Sequence, residues 1–317
     1  MMRRKDKPRS IRRRADIPAG AVEAGGTKFV CAFGTGPNDF ERTEFATGDR
    51  PESVLEEVAD WLEAHARNTG APCAIGIGSF GPIDLDPESP EYGHITSTPK
   101  PGWRNTDIVG ALRRRFPNLP IAFDTDVNAA ALGEYYWGHA ADLEDVVYIT
   151  IGTGIGAGGL VNGRLLHGLV HPEMGHMLLP RVTGDTFEGT CPFHIDCWEG
   201  LCSGPALKAR TGMAAEEIPP AHEAWSFETQ YIAYALANIV CTLSPRRIIL
   251  GGSVRKAGQL GEDCFFKLIR DKLRLALNEY VVSPALGEEI DNYVVSPLLG
   301  DDAGVLGALA LGQELLA

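Results

Sequence analysis

Two glycine-threonine turns, each set between apolar runs, constrain this chain more than any other feature. The first lies in Val22-Glu-Ala-Gly-Gly-Thr-Lys-Phe-Val30, the second in Ile149-Thr-Ile-Gly-Thr-Gly-Ile-Gly-Ala-Gly-Gly-Leu-Val-Asn-Gly163. Each reads as a strand, a tight turn and a returning strand. Where side chains are this small, backbone N–H groups and a hydroxyl can come close to a phosphate. Two such turns suggest two jaws around one polyphosphate. The bland alternative is a pair of ordinary glycine-rich hairpins in a structural sheet.

The second stretch also fits a dinucleotide fingerprint, with Gly154, Gly156 and Gly159 in G-x-G-x-x-G spacing. That fingerprint requires a helix directly after the glycines. Here the chain continues Leu160-Val-Asn-Gly-Arg-Leu-Leu166, and Asn162-Gly163 between apolar residues signals a hairpin. A nicotinamide site is therefore not expected. A P-loop is excluded because no G-x-x-x-x-G-K-[ST] sequence occurs.

The chain has 317 residues, 44% of them hydrophobic, enough to bury a substantial core in two lobes. No run reaches the roughly 18 to 20 apolar residues of a membrane span. Residues 1 to 20 hold eight Lys or Arg against Asp6 and Asp16, a charge of +6, so the overall −13 leaves −19 on the remainder. An acidic body repels nucleic acid and anionic lipid, and neither is expected as a partner. The basic start reads as a disordered leader. No apolar segment follows Arg3-Arg4 to make an export signal. Seven cysteines, an odd number, with Cys31, Cys73 and Cys241 in apolar runs that read as buried core, fit a reducing cytoplasm.

Pro51 to Arg67 places Val54, Leu55, Val58, Trp61 and Leu62 on one helical face, with Pro51 suited to a first turn. Cys73 to Gly78 and Ile121 to Phe123 read as buried strands. They end in Gly-Ser-Phe-Gly-Pro82 and Asp124-Thr-Asp-Val-Asn128, at the strand ends where α/β proteins place ligands. Further helical periods fall near Ala206, over Phe227 to Leu243, over Phe265 to Leu277 and from about Asp302, with a strand at Arg247 to Leu250. The first half's order of elements recurs in the second. A duplicated sheet-and-helix lobe closing on a central cleft is the most economical architecture.

Asp126 opens a helical run and has two readings. It caps the helix and stays ionised, or it takes the proton of an attacking hydroxyl in phosphoryl transfer. His176, Cys191, His194 and Cys197 form a second constellation. Two thiols and two imidazoles suit a closed, structural zinc site, against a satisfied polar loop or a Cys191–Cys197 disulfide. Glu173 and Glu199 flank this loop. A carboxylate held there can accept two adjacent sugar hydroxyls, or simply add to the acidic surface.

These segments together resemble the ROK family of sugar kinases, and most closely its bacterial fructokinase branch. The similarity extends from about Val22 to Leu311. It rests on Glu-Ala-Gly-Gly-Thr-Lys at 23 to 28, Gly-Ser-Phe-Gly-Pro at 78 to 82, Thr-Pro-Lys-Pro-Gly-Trp at 98 to 103 and Thr-Asp-Val-Asn-Ala-Ala at 125 to 130. His-Pro-Glu-Met-Gly-His at 171 to 176 and Cys-Pro-Phe-His-Ile-Asp-Cys-Trp-Glu-Gly-Leu-Cys-Ser-Gly-Pro at 191 to 205 complete the set.

The resemblance implies a duplicated actin-like, ribonuclease-H-like α/β fold that transfers the γ-phosphate of MgATP to a hexose hydroxyl. Its lobes would span residues 19–124 plus 303–317 and residues 125–302, after a leader of residues 1–18 and with a zinc loop at 171–199. Asp126 matches the catalytic base. Gly25, Gly26 and Thr27 with Lys28, and Gly152, Thr153 and Gly154, match the phosphate turns. Gly251, Gly252, Ala303 and Gly304 match the adenosine side. Gly78, Glu173, His176 and Glu199 match the sugar side, with His176 also serving Zn2+ beside Cys191, His194 and Cys197. Asn105 to Phe116 is ordinary scaffold. The implied partners are ATP and a hexose, and the implied assembly is a homodimer.

Some positions depart from the broader family pattern. Glu23 stands where most members have aspartate near the metal and phosphates, so its longer side chain is expected to act through water or from a shifted backbone. Thr125 replaces a common asparagine, which removes a usual sugar contact. The metal loop has Cys-x-x-His-x-x-Cys in place of a cysteine-richer version, with the ligand count kept. These departures favour fructose, with mannose, glucose or an amino sugar as alternatives. Family members that act as sugar-responsive repressors carry a DNA-binding domain ahead of the kinase-like body. About twenty residues before the first turn are too few for one.

Overall fold

The computed structural model describes residues 17–69 and 72–316. The basic leader lies almost wholly in residues 1–16, outside the described residues. The chain opens with an antiparallel meander of β1 (Ala19–Ala24), β2 (Lys28–Gly36) and β3 (Asp39–Ala46), then helix α1 (Pro51–Thr69). Next come β4 (Ile75–Ser79), the short pair β5 (His94–Ile95) and β6 (Thr106–Asp107), α2 (Ile108–Arg115) and β7 (Ile121–Thr125). The five main strands lie in the order β3-β2-β1-β4-β7, with β1, β4 and β7 parallel.

The second half repeats this plan. After α3 (Asp126–Trp137) come β8 (Val146–Ile151), β9 (Ile155–Val161) and β10 (Arg164–Leu165). Helices α4 (Trp198–Cys202), α5 (Gly204–Thr211) and α6 (Ala224–Leu243) precede β11 (Arg247–Gly251). Then follow α7 (Glu262–Leu277), α8 (Ile290–Tyr293), β12 (Val294–Val295) and α9 (Ala303–Glu314). The order β10-β9-β8-β11-β12, again with three parallel strands, matches the first sheet strand for strand.

Burial follows from position. β1 and β4 are covered on both faces and are almost wholly small or apolar, whereas the edge strand β3 alternates exposed polar with half-buried residues. On α1, Val54, Leu55, Val58 and Leu62 face the first sheet's core with Trp103 and Phe29. The longer α6 sends Trp225, Tyr231, Ile232, Leu236 and Ile239 into the core of the second half.

Helix α9 returns to the first sheet and is buried from Ala303 to Gln313, as suits a helix apolar all round. It lies against α3, which also touches β8 and β9 of the second sheet. The two helices approach at Gly307, where a Cβ would lie 1.7 Å from the Ala129 carbonyl oxygen. Alanine favours a helix over glycine by about 1 kcal/mol, but here it would force the helices apart. Gly307→Ala is expected to cost about 3 kcal/mol in urea denaturation. A loss below about 1 kcal/mol would show that the helices give way easily.

Three expectations are corrected. Cys31 is buried, but Cys73 and Cys241 are exposed. Cys73 precedes β4, which starts only at Ile75, and Cys241 falls on the outer face of α6, beyond the stripe ending at Ile239 and Val240. The cap of α3 is Thr125 and not Asp126, because the extended Thr125 presents its hydroxyl to the Asn128 N–H at 3.1 Å while Asp126 is already helical. Among the described residues no helix is long and apolar enough to cross a membrane.

Candidate active site

The two glycine-threonine turns meet. The first joins β1 to β2 and is closed by the Gly25 N–H donating to the Lys28 carbonyl at 3.0 Å. Thr47 secures it by donating its N–H to the Thr27 carbonyl and its hydroxyl to that of Gly25. The second joins β8 to β9, with the Gly152 N–H donating to the Gly154 carbonyl at 2.9 Å. Across the gap, Thr27 Oγ1 and Thr153 Oγ1 lie 3.2 Å apart. The hairpin alternative is half right: both are hairpins, but their tips face each other.

Asp126 is the first residue of α3, and its Oδ1 accepts the Val127 N–H at 2.8 Å. Burial pushes its carboxyl up to about 7, opposed by that N–H. Gly78, at the end of β4, lies beneath it; a Cβ there would sit 3.4 Å from Asp126 Cα and 2.7 Å from Ala129 Cβ. Glu23 is raised to about 8 by burial and then by the nearby Asp126 charge, with Lys28 acting against it. Its Oε2 is buried with no partner among the described residues. Lys28 pairs with Glu44 at 2.7 Å.

The second half supplies two more carboxylates. Glu199, on the first turn of α4, accepts the Ile155 N–H at 2.8 Å and so is fixed to the second turn. Glu173 is half-exposed and raised to about 7, first by burial and then by Glu199 and Asp126. Gly251 ends β11, and Gly252 follows at φ +83, where a Cβ would sit 2.3 Å from the Ile151 carbonyl oxygen. Ala303 and Gly304 begin α9, and a Cβ on Gly304 would sit 2.3 Å from Glu23 Oε1. The opposed turns, Asp126, Gly78 and these acidic side chains thus lie close to one another.

His176, Cys191, His194 and Cys197 come together, their ligand atoms within 4.8 Å of one another. Cys191 Sγ lies 3.7 Å from His176 Nδ1 and 3.9 Å from His194 Nδ1, and Cys197 Sγ lies 3.5 Å from His176 Nδ1. A tetrahedral zinc with these ligands spaces sulfur and nitrogen by about 3.6 Å. The donor set therefore fits that ion in chemistry and in size. Both cysteines are free thiols. With Nδ1 turned to the sulfurs, His176 keeps Nε2 for a second partner.

Sequence reasoning gave no role to the residues behind Asp126. Asn128 is fully buried and donates to Asp124 Oδ1 at 2.8 Å and to the Leu166 carbonyl, while accepting the Gly159 N–H at 2.9 Å. Asp124 also receives the Thr125 N–H and sits 2.7 Å from His167 Nε2. This network fixes the β7–α3 corner to the second half. The one available signal was the polar cluster Asp124-Thr-Asp-Val-Asn128 at a strand end. A surface depression of about 500 Å3 beside α7 contains none of these residues. Its Arg270 is already committed to the Val294 carbonyl and Asp291.

The sequence matches the ROK family over residues 19–314. The chain is a member of the ROK family. Among its curated ROK relatives, a fructokinase of Pediococcus pentosaceus is 43% identical over 297 residues, covering 94% of this chain and 98% of the relative. A fructokinase of Streptococcus mutans is 39% identical over 302 residues, covering 94% and 98%. The ROK hexokinase of Thermus thermophilus superposes with a TM-score of 0.76 at 25% identity, covering 95% of this chain and 99% of that one. The duplicated sheets are thus those of an actin-like ROK kinase fold.

Proposed function

We propose that this ROK protein is a fructokinase that transfers the γ-phosphoryl group of MgATP to the primary hydroxyl of fructose. The observation that carries the reading is the 3.2 Å approach of the two glycine-threonine turns, with the half-buried carboxylate of Asp126 at the head of α3. Near-complete coverage of relatives named fructokinase supports the choice of sugar.

In this reading Asp126 orients the fructose hydroxyl and takes its proton. Gly25, Gly26, Thr27, Lys28, Gly152, Thr153 and Gly154 bind the phosphates, with backbone N–H groups aimed at the charge that builds on transfer. Gly251, Gly252, Ala303 and Gly304 border the adenosine. Gly78, Glu173, His176 and Glu199 hold the sugar, the carboxylates accepting its hydroxyls. Closure of the lobes, residues 19–124 with 303–317 against 125–302, excludes water.

The unpartnered buried oxygen of Glu23 fits a nearby cation. Glu23 would hold Mg2+ there, directly or through water, and the ion would neutralise phosphate charge. Zn2+ on His176, Cys191, His194 and Cys197 would fix the loop that carries Glu173 and Glu199, without touching the reaction. A homodimer is the assembly expected of the family.

ADP release with MgATP across a hexose panel tests the reading. Fructose should give the highest kcat/KM, at least about tenfold above glucose, mannose and amino sugars. A preference for another hexose would overturn the substrate. Sugar binding with no ADP release would favour a sugar-responsive regulator.

A further inference from the structure

The segment after β10 crosses from the second half of the molecule to the first, and His171 lies where it lands. The residue is 7% exposed. Its Nε2 accepts the Ile83 N–H at 3.1 Å, so that nitrogen carries no proton and the neutral ring holds its proton on Nδ1. Nδ1 lies 3.5 Å from Glu173 Oε1. Burial holds the ring below its ordinary pKa, which keeps it neutral and keeps this tautomer.

The fit is tight on the side of the first half. A Cβ on Gly81 would lie 3.0 Å from His171 Cε1 and 3.6 Å from Glu173 Oε1. Glu173 is thus bounded by the imidazole and by the Phe80-Gly-Pro-Ile83 segment that follows β4. On its other side stand Glu199 and Asp126, whose charges disfavour its ionised form. The His171 Nδ1 stands 3.5 Å from its Oε1.

We propose that His171 is a positioning residue for the sugar: its Nδ1–H orients the Glu173 carboxylate toward the sugar hydroxyls, and its Nε2 ties that orientation to Ile83. The inference rests on the reading of Glu173 as a sugar contact. A histidine that only filled space would be replaceable by any side chain of similar volume. An orienting one depends on which nitrogen is mimicked. Asn supplies a donor near Nδ1, whereas Gln supplies an acceptor near Nε2.

Steady-state kinetics of His171→Ala, His171→Asn and His171→Gln test this, once the wild type is shown to turn over fructose. His171→Ala and His171→Gln should raise the fructose KM about tenfold, through loss of the polar contact that steers the Glu173 carboxylate. Their kcat and ATP KM should stay within about threefold. His171→Asn should keep the fructose KM within about threefold of wild type. In a Glu173→Gln background, His171→Ala should add less than about twofold, since coupled residues are not additive. Equal KM increases in all three single variants, or falls in kcat with rising ATP KM, would assign His171 to packing and overturn the proposal. The Asn and Gln variants carry the test if His171→Ala does not fold. A wild type inactive on fructose would remove the functional reading and this inference with it. An unchanged fructose KM in an active His171→Ala would remove this inference alone.

Discussion

Asp126→Asn is expected to lower kcat on fructose by about 10³-fold, within the range for loss of a general base, and to leave the fructose KM within about threefold. The amide keeps the acceptor for the Val127 N–H, so the first turn of α3 survives. What it loses is the capacity to take a proton. Burial holds Asp126 near 7 in the free protein. Protonation below that value removes the base, so wild-type kcat/KM should fall as pH drops through about 7. Thermal stability separates this from misfolding. Asp126 binds its proton more tightly folded than unfolded, so its contribution to stability is full below its ordinary value and is lost as pH rises through about 7. Above that pH the neutral amide avoids the cost of a buried charge. Tm of the variant should therefore rise at pH 8. Near-normal turnover would show that another group accepts the proton, and a lowered Tm would show that the carboxylate serves the fold.

Cys191→Ala should release the metal and remove most activity. Binding of a structural zinc supplies about 10 to 16 kcal/mol, as much as the whole stability of an ordinary domain, about 5 to 15 kcal/mol. Asp185 pins the middle of the loop by accepting from Arg210 and from the Tyr231 hydroxyl at 2.6 Å, but the end that bears the two cysteines has few such contacts. Residues 178 to 197 hold few core side chains, and Phe193 and Ile195 are exposed at 64% and 60%, Ile195 at φ +60. Freed of the ion, the loop should no longer hold Glu173 and Glu199 in register with the second turn. We expect a metal content near zero against one zinc per wild-type chain, and a loss in kcat/KM for fructose of at least about 10²-fold. Wild-type protein that contains no zinc and is fully active would refute the metal assignment. A metal-free variant that keeps its kcat/KM would refute the link to the sugar site.

Much of the architecture was legible because it was written in short range. The strand-turn-strand units at Val22 and Ile149 have local signals, and Asn162-Gly163 makes the predicted hairpin between β9 and β10. Duplication followed from counting elements, and both sheets carry the same strand order. The four candidate metal ligands were legible from residue type and spacing, and the fold brings their ligand atoms within 4.8 Å of one another. Burial inside an apolar run was not, as exposed Cys73 and Cys241 show: a run carries no information about which face its last turn presents. The cap of α3 went to Thr125 because capping depends on the first helical dihedral, one residue from where pattern alone would put it.

The polar frame of the site was illegible for another reason. Asn128 meets Gly159, Asp124 meets His167, and Ile83 meets His171 across wide sequence separations. Each of these side chains is an unremarkable polar residue until the chain folds. Their partners are backbone groups or single charges, which leave no periodicity to read. Glu134 is of the same kind, fully buried and accepting the N–H groups of His139 and Leu299.

In the proposed mechanism the two opposed turns grip the terminal phosphates of ATP while Asp126 meets the sugar. A crystal structure with fructose and a non-hydrolysable ATP analogue tests it most directly. The γ-phosphate should lie between Thr27 and Thr153, within hydrogen-bond reach of turn N–H groups, and the fructose primary hydroxyl within about 3 Å of an Asp126 carboxylate oxygen. A nucleotide bound away from either turn, or a sugar whose primary hydroxyl faces away from Asp126, would contradict it.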